Sequence, residues 1–229
     1  MLPALLYFLF KKFRKVNWKK IGTRLHTGIR IRQSGFVPML FLLLLLLLSL
    51  VIGAHSQSRN YKVIRKGSEI GWVSLEKKTD SNATLISFAS EIRTSFIITF
   101  SSSAKEISEF RDGKLQHSYF YRKANGNIKA DRHTRFTGSN YVVDNPSFNQ
   151  KLNIAPVTYN TLCMYFQEPA GIKQVYSDNC QCLLDITKGD DGSYSITSEG
   201  ATNKFYYLYG ICCRVEIDSR FYSATLHLR

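Results

Sequence analysis

The chain has 229 residues and a formal net charge of +14, which is enough chain for one domain of ordinary size and an extension. Residues 1–56 hold nine of the 31 Lys and Arg residues and no Asp or Glu, which leaves residues 57–229 with 22 basic and 17 acidic residues, a net charge of +5. Nucleic-acid binding needs clustered positive charge, and these charges are scattered, so the composition argues against a nucleic-acid partner.

The first informative element is an apolar run at residues 39–52, which reads MLFLLLLLLLSLVI. Its 14 residues are typical of the core of a secretory signal, because a membrane-spanning helix needs about 20. Small residues at Ala54 and Ser56 predict cleavage between Ser56 and Gln57. The alternative is an uncleaved anchor that holds the protein in the membrane through residues 36–54. In both cases the later residues are exported, to the periplasm or the cell surface.

A basic segment precedes the apolar run. Four apolar residues recur in it at helical spacing, the pattern of a helix on an anionic membrane: Trp18, Ile21, Leu25 and Ile29. Another interpretation is that translation begins at Met39 and that the segment is not part of the protein. The sequence therefore predicts three segments: a basic extension over 1–38, a signal peptide or anchor over 39–56, and an exported β-rich domain over 57–229.

After Gln57 the hydrophobic pattern alternates, as in strands. Two strands joined by a tight turn at Gly67-Ser68 are predicted at Tyr61–Lys66 and Glu69–Glu76, and residues 82–100 provide two more strands or one bent strand. Further turns are predicted at Asp112-Gly113, Asn125-Gly126, Asp191-Gly192 and Glu199-Gly200. The pattern predicts a mainly β fold, either a curled antiparallel meander or an open barrel.

One segment, Pro156–Phe166, interrupts the alternation. It opens with a proline and is followed by Pro169, and its apolar residues Leu162, Tyr165 and Phe166 have helical spacing. This arrangement predicts one short helix that covers an end or the concave side of the sheet, with a strand as the alternative.

Several short stretches carry a resemblance to a known family; they are Tyr61–Val63 leading into Ile70-Gly71, Phe110–Leu115, Leu162–Pro169, Val175–Ser177 and Tyr207–Gly210. Together they span most of residues 60–217 and resemble uncharacterised exported proteins of the Bacteroidota, domain-of-unknown-function family 6134. The resemblance implies a β-rich exported domain, and it brings no assigned activity or catalytic residue. The chain departs from the family's pattern at residues 179–182, which read Asn-Cys-Gln-Cys, where a glycine or a bulky apolar residue is expected.

Five cysteines follow Gln57, namely Cys163, Cys180, Cys182, Cys212 and Cys213. Export allows disulfides, and an odd number leaves at least one thiol free. Close neighbours seldom bridge each other, so a disulfide would join one residue of the 180/182 pair to one of the 212/213 pair. The simplest interpretation is that the thiols are buried and act as small apolar side chains. A metal site at this thiol cluster would need tetrahedral convergence, and none is predicted.

No sequence motif indicates a reaction. The chain lacks a nucleophile elbow, a phosphate-binding glycine loop and a zinc-protease helix, and the histidines after Gln57 lie on separate predicted strands. We therefore predict no catalytic, cofactor-binding or metal-binding residue, no cofactor, and a protein that is not an enzyme. An enzyme with an unrecognised Cys- or His-based site is the alternative.

Aromatic side chains are the remaining candidates for a binding site. Most are expected in the core, but an incompletely filled concave face would let some line a pocket for an apolar or envelope-derived ligand. The candidates are Trp72, Tyr119, Tyr121, Tyr165 and Tyr207. The predicted function is a ligand-binding or structural envelope domain, with a membrane-tethered interaction protein as a further alternative.

Overall fold

The structure, a computed structural model, describes residues 55–95, 99–145, 149–220 and 222–229. Its strands are β1 (His55–Arg65), β2 (Ser68–Asp80), β3 (Ala83–Ser95), β4 (Thr99–Arg111), β5 (Lys114–Ala124), β6 (Asn127–Phe136), β7 (Tyr141–Asp144), β8 (Asn149–Leu152), β9 (Gln174–Ser177), β10 (Cys182–Asp185), β11 (Thr187–Lys188), β12 (Tyr194–Ser198), β13 (Ala201–Leu208), β14 (Ile211–Ser219) and β15 (Tyr222–Leu228). No helix in these ranges is long and apolar enough to cross a membrane.

The predicted basic extension and the leucine-rich run lie outside the described residues. The predicted cleavage site lies near the start of the described residues. Ser56 and Gln57 belong to β1 and stand opposite Lys78 and Lys77 of β2. Cleavage there remains a prediction, and it would leave residues 57–65 of the strand in place.

Within the described residues, thirteen strands form one sheet in the order β11-β12-β13-β14-β15-β1-β2-β3-β4-β5-β6-β7-β8, and β9 and β10 form a separate pair. Neighbouring strands are antiparallel throughout, and the edge strands β11 and β8 are not paired with each other. The first and last strands meet in the middle of the sheet, with Tyr61 opposite Leu228. The predicted mainly β, antiparallel and open architecture is confirmed.

Glycine-containing turns set the hairpins. Asn125 and Gly126 have φ angles of 47° and 81°, the paired positive values that suit the twist of a tight hairpin. The first turn is centred on Lys66 and Gly67, one residue earlier than predicted. Residues 82–100 contribute to two separate strands, β3 and β4, as one of the two predicted options required.

The helix predicted over Pro156–Phe166 is wrong for most of that length, since only Cys163–Tyr165 forms a single 3-10 turn. At the start of the segment, backbone groups bond to the sheet, and bonds within the segment begin only at Asn160. The Val157 carbonyl accepts a hydrogen bond from the Leu115 N–H at 2.8 Å, and the Val157 N–H donates to the Tyr141 hydroxyl at 2.9 Å. Both backbone groups of Val157 are therefore unavailable for helical hydrogen bonds.

The sheet curls so that strands distant in its order meet across the concave face. Phe88 of β3 and Phe205 of β13 are separated by four intervening strands, yet both pack against Tyr165, with ring centroids 6.3 and 5.5 Å away. Tyr61 of β1 packs on the same ring at 5.6 Å. The segment around Tyr165 therefore fills one part of the interior, and the curled sheet surrounds it.

Candidate functional site

The concave face is incompletely filled. A cavity of about 250 Å³, which we call the inner cavity, is bounded by β3, β4, β5, β12, β13 and the segment before β9. Its principal apolar lining residues are Phe88, Phe120, Leu162, Tyr165, Ile196 and Phe205. An apolar concavity with a few polar groups is the usual form of a small-molecule site.

Two buried polar atoms on the wall of the inner cavity are left without a hydrogen-bond partner in the described part of the chain. They are Oε1 of Glu106 in β4 and Oγ of Ser198 in β12. Glu106 is only 7% exposed, so water does not readily replace the missing partner. Buried polar groups are nearly always hydrogen-bonded, which makes these two atoms the distinctive feature of the cavity.

A second buried carboxyl group stands beside the first. Asp178 lies between β9 and β10, is 2% exposed, and lies close enough to Glu106 for the two carboxyl groups to share a proton; its Oδ2, like Oε1 of Glu106, has no other partner in the described part of the chain. The Ser118 hydroxyl donates to Asp178 Oδ1 at 2.5 Å, and the Thr134 hydroxyl donates to the same oxygen at 3.4 Å. The loop that carries Asp178 is held further by the Arg132 guanidinium, which donates to the backbone carbonyls of Asp178 and Asn179.

The proton of this pair belongs on Glu106. Burial raises the pKa of the Glu106 carboxyl well above its ordinary range, and the neighbouring Asp178 raises it further. Burial also raises the pKa of Asp178, but the hydrogen bonds from Ser118, Glu106 and Thr134 oppose that rise by stabilising its charged form. A protonated Glu106 therefore donates to Asp178, whose Oδ2 has no other hydrogen-bond partner in the described part of the chain.

Sequence reasoning missed both carboxyl groups. A signal was present for Glu106, because its side chain alternates in phase with Ser108 and Phe110, which point inward along β4. A charged residue at an inward position of a predicted strand is a candidate for function. Asp178 offered no such signal, since it lies in a loop whose path depends on tertiary contacts.

A second cavity, which we call the end cavity, has a volume of about 520 Å³ and lies near the ends of β1, β3, β4 and β15. Its lining residues are Arg65, Ile92, Thr94, Phe100, Ser102, Arg122 and Tyr222. Arg122 also lines the inner cavity, so the two spaces share one wall. Phe100 is 39% exposed, which shows that the end cavity opens to solvent.

The structure distributes the five predicted lining aromatics over three environments. Tyr165 lines the inner cavity. The Tyr207 hydroxyl donates to the Met164 carbonyl at 2.7 Å, which places this side chain in the packed part of the interior. The remaining three lie on the outer face, out of phase with their buried strand neighbours: Trp72, Tyr119 and Tyr121. These three do not line the interior, because alternation along β2 and β5 turns them outward.

Two histidines, His117 and His133, lie on the outer face of the sheet. His117 of β5 and His133 of β6 line a depression of about 330 Å³, and His133 stacks on Tyr119 with ring centroids 4.6 Å apart. In the described ranges there is no group of three or more His, Cys, Asp or Glu side chains that could hold a metal ion.

The pairing of Cys180 and Cys182 differs from both expectations, since these residues are neither free thiols nor bridged to the 212/213 pair. Cys180 is bonded to Cys182, with their Cα atoms 5.3 Å apart, and not to Cys212 or Cys213. An extended strand would separate such residues by about 6.6 Å. Here Cys180 lies before β10 and the intervening Gln181 has a φ of 57°, so the chain turns and brings the two sulfur atoms together.

Two of the three free thiols in the described residues, those of Cys163 and Cys212, are expected to be unreactive in the folded protein. Burial raises the pKa of Cys163 to about 11 and that of Cys212 to about 12, so the nucleophilic thiolate is scarce at neutral pH. Iodoacetamide should leave both residues unmodified in the native chain and modify both after unfolding, as peptide mass spectrometry would detect. Rapid alkylation of either thiol in the native protein would contradict this and favour the enzyme alternative.

The fold and its cavities define a class of architecture: an open, curled, antiparallel β-sheet with a partly filled interior. The chain belongs to the family described as Domain of unknown function (DUF6134), whose model matches residues 61–229. It is similar to the crystal structure of a beta-barrel-like protein of domain of unknown function DUF1849 from Brucella abortus, with a TM-score of 0.48, 12% identity and coverage of 77% of this chain and 95% of that chain. No curated protein matches the sequence.

Proposed function

We propose that this domain is a non-enzymatic binding protein that holds an apolar ligand in its inner cavity. The observation that carries the proposal is the combination of apolar walls with two unpartnered polar atoms, Glu106 Oε1 and Ser198 Oγ. A buried polar group without a partner costs about 1–3 kcal/mol. A ligand hydroxyl or carbonyl placed near these atoms would supply the missing hydrogen bonds, and the ligand would bind more tightly.

The chemistry of the cavity favours binding over catalysis. The Glu106 carboxyl is hydrogen-bonded to Asp178, and Oδ1 of Asp178 accepts from the Ser118 and Thr134 hydroxyls. This arrangement fixes one oriented donor–acceptor group on an otherwise apolar wall. Such a group selects a ligand with one polar atom at a defined depth.

The place of action that we propose is the periplasm or cell surface of a member of the Bacteroidota. The support is the leucine-rich run and the small residues before Gln57. If cleavage does not occur, residues 36–54 would tether the domain to the membrane. N-terminal sequencing of the protein from producing cells tests this: Gln57 as the first residue supports a removed signal, whereas residues 39–56 retained in the membrane fraction support the tether.

Filling the inner cavity tests the binding proposal. Ala104 lines the cavity from β4, and Ala89 lies on the outer face of β3. Ala104→Leu should weaken the binding of dodecanol, an uncharged probe, by about tenfold or more because added side-chain volume displaces the ligand. Ala89→Leu adds the same volume outside and should leave affinity unchanged. Titration calorimetry with the purified full-length chain measures both.

Two results would oppose the proposal. One is equal dodecanol affinity in the Ala104→Leu and wild-type chains, which would place the probe elsewhere. The other is the absence of dodecanol binding together with no small molecule released from the purified protein on denaturation. That second result would favour a structural envelope component.

A further inference from the structure

The end cavity has an unbalanced positive charge. Arg65 and Arg122 line it, and no acidic side chain is found among its described lining residues. Neither guanidinium forms an ion pair with a described carboxylate, although other arginines such as Arg93, Arg111 and Arg229 are paired. Two cations facing a shared space without a counter-charge repel each other, and an anion between them relieves that repulsion.

Neighbouring residues position the two arginine side chains at the end cavity. The Arg65 guanidinium carbon lies 5.0 Å from the centroid of the Tyr222 ring, which holds the side chain over the cavity. The Tyr222 hydroxyl is buried and has no hydrogen-bond partner in the described part of the chain. Arg122 stands between Ala104 and Ala130 on the neighbouring strands, whose small side chains leave it room to extend. The cavity thus presents two guanidinium groups and one free hydroxyl.

We propose that the ligand is an amphiphile with an anionic head group, a carboxylate or a phosphate, held by Arg65 and Arg122. This inference rests on the proposed function, and it assigns the end cavity to the head group and the inner cavity to the chain. A guanidinium matches either anion with parallel hydrogen bonds, and partial burial beside Ile92 and Phe100 strengthens the interaction. The unpartnered Tyr222 hydroxyl supplies a further donor to the same anion.

The geometry of β4 indicates how long the acyl chain of the ligand would be. Ser102 lines the end cavity and Glu106 lines the inner cavity, four residues further along the strand. At about 3.3 Å per residue this is a span of roughly 13 Å, which suits an acyl chain of medium length. Arg122 borders both spaces, so a chain that leaves the head group can pass into the inner cavity. A hydroxyl at the far end of the chain would reach the polar atoms described for Glu106 and Ser198.

Calorimetric titration of the purified full-length chain with matched probes tests the proposal. The probes are dodecanoate, dodecyl phosphate, ω-hydroxydodecanoate and the uncharged dodecanol. The test variant is Arg65→Gln with Arg122→Gln, and the control is Arg93→Gln with Arg111→Gln, which removes the same charge from exposed arginines. Circular dichroism and thermal unfolding establish that each variant is folded.

At least one anionic probe should bind the wild-type chain about tenfold or more tightly than dodecanol, and the test variant should lose that advantage while the control retains it. Which anion is preferred distinguishes a carboxylate from a phosphate source, and tighter binding of the ω-hydroxy compound supports the assigned direction of the chain. Equal affinity for dodecanol and all three anionic probes, or unchanged anion binding in the folded test variant, would overturn the proposal. If dodecanol binding is still weakened by Ala104→Leu in that case, the proposed function is supported although the anionic head group is not.

Discussion

Replacing Tyr141 with phenylalanine is expected to lower the free energy of unfolding by about 2–5 kcal/mol. The Tyr141 side chain is fully buried, and its hydroxyl donates to the Leu115 carbonyl at 3.0 Å while it accepts from the Val157 N–H at 2.9 Å. Phenylalanine keeps the ring but leaves both backbone groups buried without that partner. The segment that enters the interior at Val157 would therefore be held less firmly.

Equilibrium denaturation in urea measures this loss. Tyr209→Phe is the matched control, because that side chain is 95% exposed and its hydroxyl is satisfied by water. The control should differ from wild type by less than about 0.5 kcal/mol. If Tyr141→Phe were as stable as the control, the two hydrogen bonds would not anchor the segment.

The stability of the domain is expected to fall as pH rises from acid to neutral, and Glu106→Gln is expected to reduce that dependence. The pKa of Glu106 is raised in the folded state by burial and by Asp178. Its contribution is therefore fully present below the pKa of the unfolded chain and is lost as pH rises through the folded value. One such group gives a slope of at most about 1.4 kcal/mol per pH unit. Glutamine cannot ionise and keeps a donor for Asp178.

Denaturation at several values between about pH 5 and about pH 8 gives the slope for each chain. Glu109→Gln serves as the control, since Glu109 lies on the same strand but is partly exposed and pairs with Arg111 at the surface. The control should keep the wild-type slope. A residual slope in Glu106→Gln is expected from Asp178, whose pKa burial also raises. An unchanged slope in Glu106→Gln would mean that Glu106 is not the group that holds the proton.

Local chemistry made the sheet predictable. Alternation and turn pairs such as Asn125-Gly126 depend on neighbouring residues alone, so they can be read along the chain. The segment from Pro156 could not be read in this way, because its backbone conformation depends on partners as distant as Leu115. Proline and apolar spacing indicated a helix there, and hydrogen bonds to the sheet overrode that preference.

The site was predictable only in outline. An incompletely filled concave face was one of two expected outcomes, and Tyr165 was among the suggested lining residues. The outward orientation of the Trp72 side chain was predictable from the sequence, because Trp72 alternates with Val73 and Leu75, which are buried. The meeting of Glu106 with Asp178 required knowledge of how the sheet curls, because these residues are brought together by tertiary structure alone.

The pairing of β1 with β15 has a consequence for how the chain folds. Tyr61 cannot meet Leu228 until nearly the whole domain has been synthesised, and in an exported chain until it has also been translocated. Such long-range pairing is formed late and slowly, because the entropy of closing a long loop must be overcome first. Before that step β1 and β15 each present one unpaired edge, and neighbouring unfinished chains can pair with it. A protein that escorts the unfinished chain, or rapid passage across the membrane, would limit that association. Either would raise the fraction of the protein that folds correctly.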